Sequence, residues 1–88
     1  MHDITMFYMP TCPYCMEAKR IIAGILEENP EYREIKINYI DETAESALAN
    51  SYDYYYVPTF YVNGEKLHEG AANQRQVKKV FKAASAGD

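Results

Sequence analysis

The chain has 88 residues, with nine basic against thirteen acidic side chains and a formal net charge of −4. One domain over residues 1-88 is expected at that length, burying roughly 60–65% of its unfolded surface, with little room for a deep pocket. The basic residues are scattered, which excludes the concentrated patch that binding to nucleic acid or to an anionic lipid surface would want. No apolar run approaches the ~20 residues of a membrane span. Met1-His2-Asp3 lacks the basic flank and apolar core of a signal peptide, so a cytoplasmic location is the expectation.

Ile4 to Met9 is a short, mostly apolar run ended by Pro10, which fits a buried first strand. A helix is predicted from Cys12 or Pro13, since proline suits the first helical position. Cys15, Ala18, Ile22 and Ile25/Leu26 recur at helical steps and turn Cys15 inward, and Asn29-Pro30 stops the helix. From Tyr32 to Ile40 the chain alternates, with Ile35, Ile37 and Tyr39 set against Glu34, Lys36 and Asn38; this predicts a second strand. Asp41 or Thr43 can cap a small second helix containing Ala44, Ala47, Leu48 and Ser51.

Tyr52 to Tyr56 leads into Val57-Pro58, and Thr59-Phe60-Tyr61-Val62 is strongly β-prone. Asn63-Gly64 is the favoured two-residue hairpin turn, so Glu65 to Glu69 should return as an antiparallel partner, broken by Gly70. Asn73 to Gln76 can form a capping box for a last helix whose apolar face is Val77, Val80, Phe81 and Ala84. The order is β-α-β-α-β-β-α. It predicts an α/β fold with a four-stranded mixed sheet flanked by three helices, parallel where helices separate strands and antiparallel at the hairpin.

Cys12 and Cys15, the only cysteines, lie at the predicted start of the first helix. There the first thiol meets unpaired backbone N–H groups and the positive end of the helix dipole, both of which favour its thiolate. The thiolate is the species that attacks disulfides. A structural staple is disfavoured, because so short a loop restrains the unfolded chain little. Two ligands of a metal site are the other alternative, and neither histidine stands at ligand spacing. A catalytic dithiol is the favoured reading.

Cys12-Pro13-Tyr14-Cys15 followed by Ala18-Lys19, Val57-Pro58, and Gly70 behind the hairpin resemble the thioredoxin superfamily, and within it the small glutaredoxins. The resemblance spans nearly the whole chain. It implies a thioredoxin-like fold and dithiol–disulfide oxidoreductase activity, with Cys12 attacking a substrate disulfide and Cys15 resolving the mixed disulfide. It also implies a cis bond before Pro58 beside the dithiol, with the backbone of Val57 pairing with substrate. Tyr14 would line the substrate approach, and Gly70 would let the chain pass close to a bound peptide. Tyr56, immediately before Val57, is a further candidate substrate-binding residue.

Three places depart from the family's glutathione clamp. Met9 stands where a lysine is usual, Tyr56 where a threonine is, and Glu69-Gly70-Ala71-Ala72-Asn73 where a paired glycine precedes an acid, with Glu69 replacing one glycine and Ala72 or Asn73 the acid. Glu69 would repel glutathione's carboxylates if it pointed at the site.

No cofactor or metal is expected to be bound, since there is no Gly-rich dinucleotide loop. The partners implied are a disulfide-containing protein or a glutathionylated substrate, and an external reductant, either glutathione or a thioredoxin reductase. Rival readings are a shared iron–sulfur site using Cys12 and a non-enzymatic interaction module using the tyrosines between 52 and 56. Lys19 and Arg20 read as a solvated face, and His68 is too isolated to nominate.

Overall fold

The computed structural model describes residues 1–86. In chain order it contains β1 (Ile4–Tyr8), α1 (Pro13–Glu28), a 3-10 turn (Pro30–Glu34), β2 (Ile37–Asp41), α2 (Ser46–Asn50), β3 (Thr59–Val62), β4 (Glu65–Glu69) and α3 (Gln74–Ala86). The strands form one sheet in the order β2-β1-β3-β4. β1 runs parallel to β2 and antiparallel to β3, and β3 is antiparallel to β4. This is the thioredoxin-like arrangement that the element order predicts.

The period-2 alternation of the central strands divides the core between the two sheet faces. Ile4, Met6, Phe60 and Val62 pack with Ala18, Ile22 and Ile25 of α1 and with Val77, Val80, Phe81 and Ala84 of α3. On the other face Phe7 and Tyr61 pack with Ala49 of α2, with Tyr52 and Tyr54 closing over them. The first face is therefore roofed by two long amphipathic helices. The second is roofed by a short helix and a tyrosine-rich segment.

Local chemistry sets the β3–β4 turn and the start of α3. Asn63 (φ 52°) and Gly64 (φ 80°) make the left-handed turn between β3 and β4. The capping box at α3 is formed: Gln76 N–H donates to Asn73 Oδ1 at 2.9 Å, and Asn73 N–H donates to Gln76 Oε1 at 2.9 Å.

Two predicted elements are corrected. The second strand begins at Ile37 rather than Tyr32, because residues 30–34 close into a 3-10 turn. Pro30 opens that turn, Tyr32 N–H donates to Asn29 O, and Tyr32 stacks on Phe81 with ring centroids 5.4 Å apart. The second helix is shorter than predicted and buries Ala49, whereas Ala44, Ala47 and Leu48 are exposed. Asp41 caps a preceding turn instead of the helix: its Oδ1 accepts from Thr43 N–H, and its carbonyl accepts from the N–H groups of Ala44 and Glu45.

One irregularity in the sheet reaches the site. Thr59 pairs with Glu69 and Phe60 with His68, but Tyr61 pairs with Lys66, so Leu67 is an extra residue in β4. That bulge puts Lys66 and Glu69, three residues apart, on the same sheet face.

Candidate active site

Cys12 is the N-cap residue of α1, with extended backbone (φ −87°, ψ 118°) and Pro13 following at the start of the helix. Its carbonyl accepts from the N–H groups of Cys15 and Met16, each at 3.1 Å, while its own N–H donates to Met9 O at 3.1 Å. The thiol makes no capping hydrogen bond, and no acidic residue lies in the first turn to offset the helix dipole. Cys12 is partly exposed, whereas Cys15 is only 1% exposed, and both thiols are free.

Burial pushes the Cys15 thiol up to about 11. A backbone hydrogen bond at Met9 opposes that rise, while a hydrogen bond with Cys12 and the charges of Cys12 and Glu42 add to it.

The opposite wall comes from β3 and the segment before it. Phe7 of β1 pairs with Thr59, which sets Pro58 and Val57 alongside the chain that leads to Cys12. The Val57–Pro58 bond is cis, as the resemblance implies. Pro58 O accepts from Gly70 N–H at 2.8 Å, and the buried Thr59 hydroxyl donates to Tyr56 O. Gly70 has φ 91°, and a Cβ there would stand 3.9 Å from Tyr56 Cβ, an ordinary contact. Backbone conformation, rather than space, is what calls for glycine in this structure.

Glu69 does not point freely at the site. Its Oε2 accepts from Tyr55 N–H at 2.6 Å and Tyr56 N–H at 3.0 Å, and its Oε1 pairs with Lys66 Nζ at 2.7 Å. The Lys66 ammonium, followed by the two backbone donors, holds this carboxyl down at about 2. The repulsion expected of a free Glu69 is thus largely answered within the chain.

The tyrosines divide between two roles. Tyr52 and Tyr54 turn inward against Phe7, at ring-centroid distances of 4.7 and 4.9 Å, and the Tyr54 hydroxyl donates to Glu42 Oε1 at 2.7 Å. Tyr55 and Tyr56 face outward, 86% and 71% exposed. Tyr14 and Met16, on the first turn of α1, are 61% and 65% exposed.

Cys12, Cys15, Tyr14, Tyr56, Val57, Pro58 and Gly70 therefore gather at the end of the sheet where β1 stops and β3 begins. Sequence reasoning missed Met16, the Tyr54–Glu42 bond and the Glu69 tether. It also took Lys19 as part of a solvated face, but its ammonium sits 3.7 Å from the Tyr8 ring centroid and 5.1 Å from that of Tyr39. Among the described residues no group of three or more His, Cys, Asp and Glu side chains is placed to hold a metal ion. No helix among them is long and apolar enough to cross a membrane.

A helix-starting dithiol facing a cis proline on a β2-β1-β3-β4 sheet defines a thioredoxin-fold thiol–disulfide oxidoreductase. The glutaredoxin family profile matches residues 4–67, and the chain belongs to that family. It is similar to a thioredoxin of Methanocaldococcus jannaschii, 29% identical over 79 residues that cover 90% of this chain and 91% of the relative. It is also similar to glutaredoxin 1 of Rickettsia conorii, 28% identical over 74 residues, 83% of this chain and 68% of the relative. Among solved structures, the oxidised thioredoxin of Plasmodium falciparum superposes with a TM-score of 0.72 at 19% identity, covering 97% of this chain and 82% of that one. At that identity the likeness speaks to the fold.

Proposed function

We propose that the chain reduces protein disulfides, with Cys12 as the attacking thiol and Cys15 as the resolving one. The observation that carries this reading is the inequality of the two thiols: one partly exposed at an unopposed helix start, the other buried and held protonated. The Cys12 thiolate attacks one sulfur of the substrate disulfide, that S–S bond breaks, and the departing thiolate takes a proton from solvent. Cys15 then gives up its proton and attacks the Cys12 sulfur. The mixed disulfide breaks, the second substrate sulfur leaves as a thiol, and a Cys12–Cys15 disulfide remains. Two electrons have passed to the substrate, and an external reductant must return them.

Once the Cys12 sulfur is bonded to substrate, its charge no longer adds to what holds the Cys15 proton. Resolution is thereby favoured in the state that needs it. Val57, Pro58 and Gly70 form the docking edge in this reading, and Tyr14 and Tyr56 supply aromatic contact of the kind protein interfaces use. Brief alkylation with iodoacetamide near neutral pH, followed by mass mapping, tests the assignment. Cys12 should be labelled much faster than Cys15, and preferential labelling of Cys15 would reverse the roles.

For the reductant, a thioredoxin reductase is the reading we favour over glutathione, in keeping with a cytoplasmic location. Met9 removes the cation of the usual glutathione clamp, Ala72 removes its acid, and one relative bears the name thioredoxin. Reduction of the oxidised protein by glutathione is to be compared with reduction by NADPH and thioredoxin reductase. Faster reduction by glutathione would overturn this choice while leaving the dithiol mechanism intact.

A further inference from the structure

The carboxylate of Glu69 occupies a site made of two consecutive backbone donors and one ammonium. Tyr55 N–H and Tyr56 N–H converge on Oε2 at 2.6 and 3.0 Å, and Lys66 Nζ reaches Oε1 at 2.7 Å. Lys66 also donates to Asp53 O at 3.2 Å, so the cation is anchored to the same segment from its other end. Consecutive N–H groups aimed at one point, with a lysine beside them, are the donor set that a free carboxylate would seek. The chain supplies that carboxylate itself, from the strand residue next to Gly70.

From this geometry we infer that the backbone N–H groups of Tyr55 and Tyr56, with Lys66, form a carboxylate site occupied by Glu69, and that its occupation positions the Tyr56–Pro58 docking edge. Glu69 is thus a positioning residue acting through the backbone of Tyr55 and Tyr56. The edge is pinned at three points: Glu69 on the two N–H groups, Thr59 on Tyr56 O, and Gly70 on Pro58 O. Thr59 and Gly70 adjoin the cis proline, so of these three Glu69 alone holds the backbone of Tyr55; further out, Asp53 O accepts from Lys66 Nζ and from the Tyr61 hydroxyl. Without it, the two N–H groups and the ammonium face solvent, and the site becomes open to a small carboxylate. The positioning half of this inference rests on the docking role proposed above; the carboxylate site does not.

Chemical rescue separates the two. In Glu69→Ala, the amide signals of Tyr55 and Tyr56 should shift saturably as sodium formate is added, and not with sodium chloride at equal ionic strength. Turnover of a disulfide-bonded peptide should fall roughly three- to tenfold in kcat/KM, mostly through KM, as expected for charge-assisted bonds at a partly exposed position. Formate should restore much of that loss, while iodoacetamide labelling of Cys12 stays at the wild-type rate throughout. Glu69→Gln, which keeps one acceptor oxygen and the side-chain length, should lose less and gain nothing from formate. It also serves as the reporter if Glu69→Ala does not fold.

Absence of a formate-specific shift at the two amides overturns the carboxylate site. A saturable shift with unchanged kcat/KM overturns the positioning role, as does an equal loss in Glu69→Ala and Glu69→Gln that formate does not reverse. If the unmodified chain turns over no disulfide, the oxidoreductase assignment falls, and with it the positioning role; the amide titration still decides the site.

Discussion

The helix start carrying Cys12 and the segment carrying Val57 face each other across the site, and they are held by different kinds of contact. On the Cys12 side the backbone hydrogen bonds are local: Met9 O accepts from Cys12 N–H, Cys12 O from Cys15 and Met16, and Pro13 suits the turn. On the Val57 side the chain from Tyr52 to Tyr56 has no regular structure of its own. It is held by distant groups: Phe7 under Tyr52 and Tyr54, Glu42 on the Tyr54 hydroxyl, and Glu69 on two backbone donors. The chemistry is therefore placed on the wall whose backbone is held by its own neighbours in sequence, and recognition on the wall held by distant groups. Local order resists single substitutions outside itself, whereas a tethered segment moves with each tether.

Substitutions on the two sides should separate these properties. The largest effect falls on the local wall: Cys12→Ser should abolish turnover, while Cys15→Ser should accumulate a mixed disulfide with substrate, seen as an added mass that dithiothreitol removes. Next is Phe7→Ala, which empties the base of the tyrosine cluster and should cost about 3–5 kcal/mol in denaturant unfolding. A loss under 1 kcal/mol there would mean that the tyrosines do not depend on the core beneath them.

The pH dependence of stability sharpens the comparison. The Cys15 thiol moves from an ordinary 9.0 in the unfolded chain to about 11 in the fold. Below pH 9 both states hold the proton. As pH rises through this window the unfolded chain ionises first, so the reduced protein should lose stability between pH 9 and 11. The same titration of Cys15→Ala should be flatter over that window, and parallel curves would contradict the burial argument. A smaller effect, about 1–3 kcal/mol, is expected for Tyr54→Phe, which leaves Glu42 without its hydroxyl partner. Asn73→Ala, a purely local cap on α3, should cost about 1 kcal/mol and leave turnover unchanged.

The same division governs how much of the molecule could be read from its residues. The α1 stripe of Cys15, Ala18, Ile22 and Ile25, the Asn63-Gly64 turn and the Asn73–Gln76 box are matters of short-range spacing, and the structure has them as read. The strand misplaced at Tyr32 shows the limit of alternation as a signal. The alternation holds from Ile35 onward but breaks at the paired polar Arg33-Glu34, and Pro30 and the stacking of Tyr32 on Phe81 draw residues 30–34 into a turn. The tether was illegible for a geometric reason: residues three apart in a regular strand lie on opposite faces, so nothing in the spacing of Lys66 and Glu69 suggests an ion pair. Only the extra residue at Leu67 brings them together, and a bulge leaves little trace in one sequence. Lys19 was missed likewise, since Tyr8 and Tyr39 become its neighbours only when β1 and β2 pair.

The β3–β4 turn has a practical consequence for handling the protein. Because β3 runs from the cis proline toward Asn63, that exposed turn lies at the far pole of the sheet from both thiols. Exposed loop tips are among the sites that best tolerate inserted sequence. A reporter peptide or a small fluorescent domain spliced between Asn63 and Gly64 would face away from incoming substrate. The enzyme could then be immobilised or imaged by a handle that leaves its reactive pole clear.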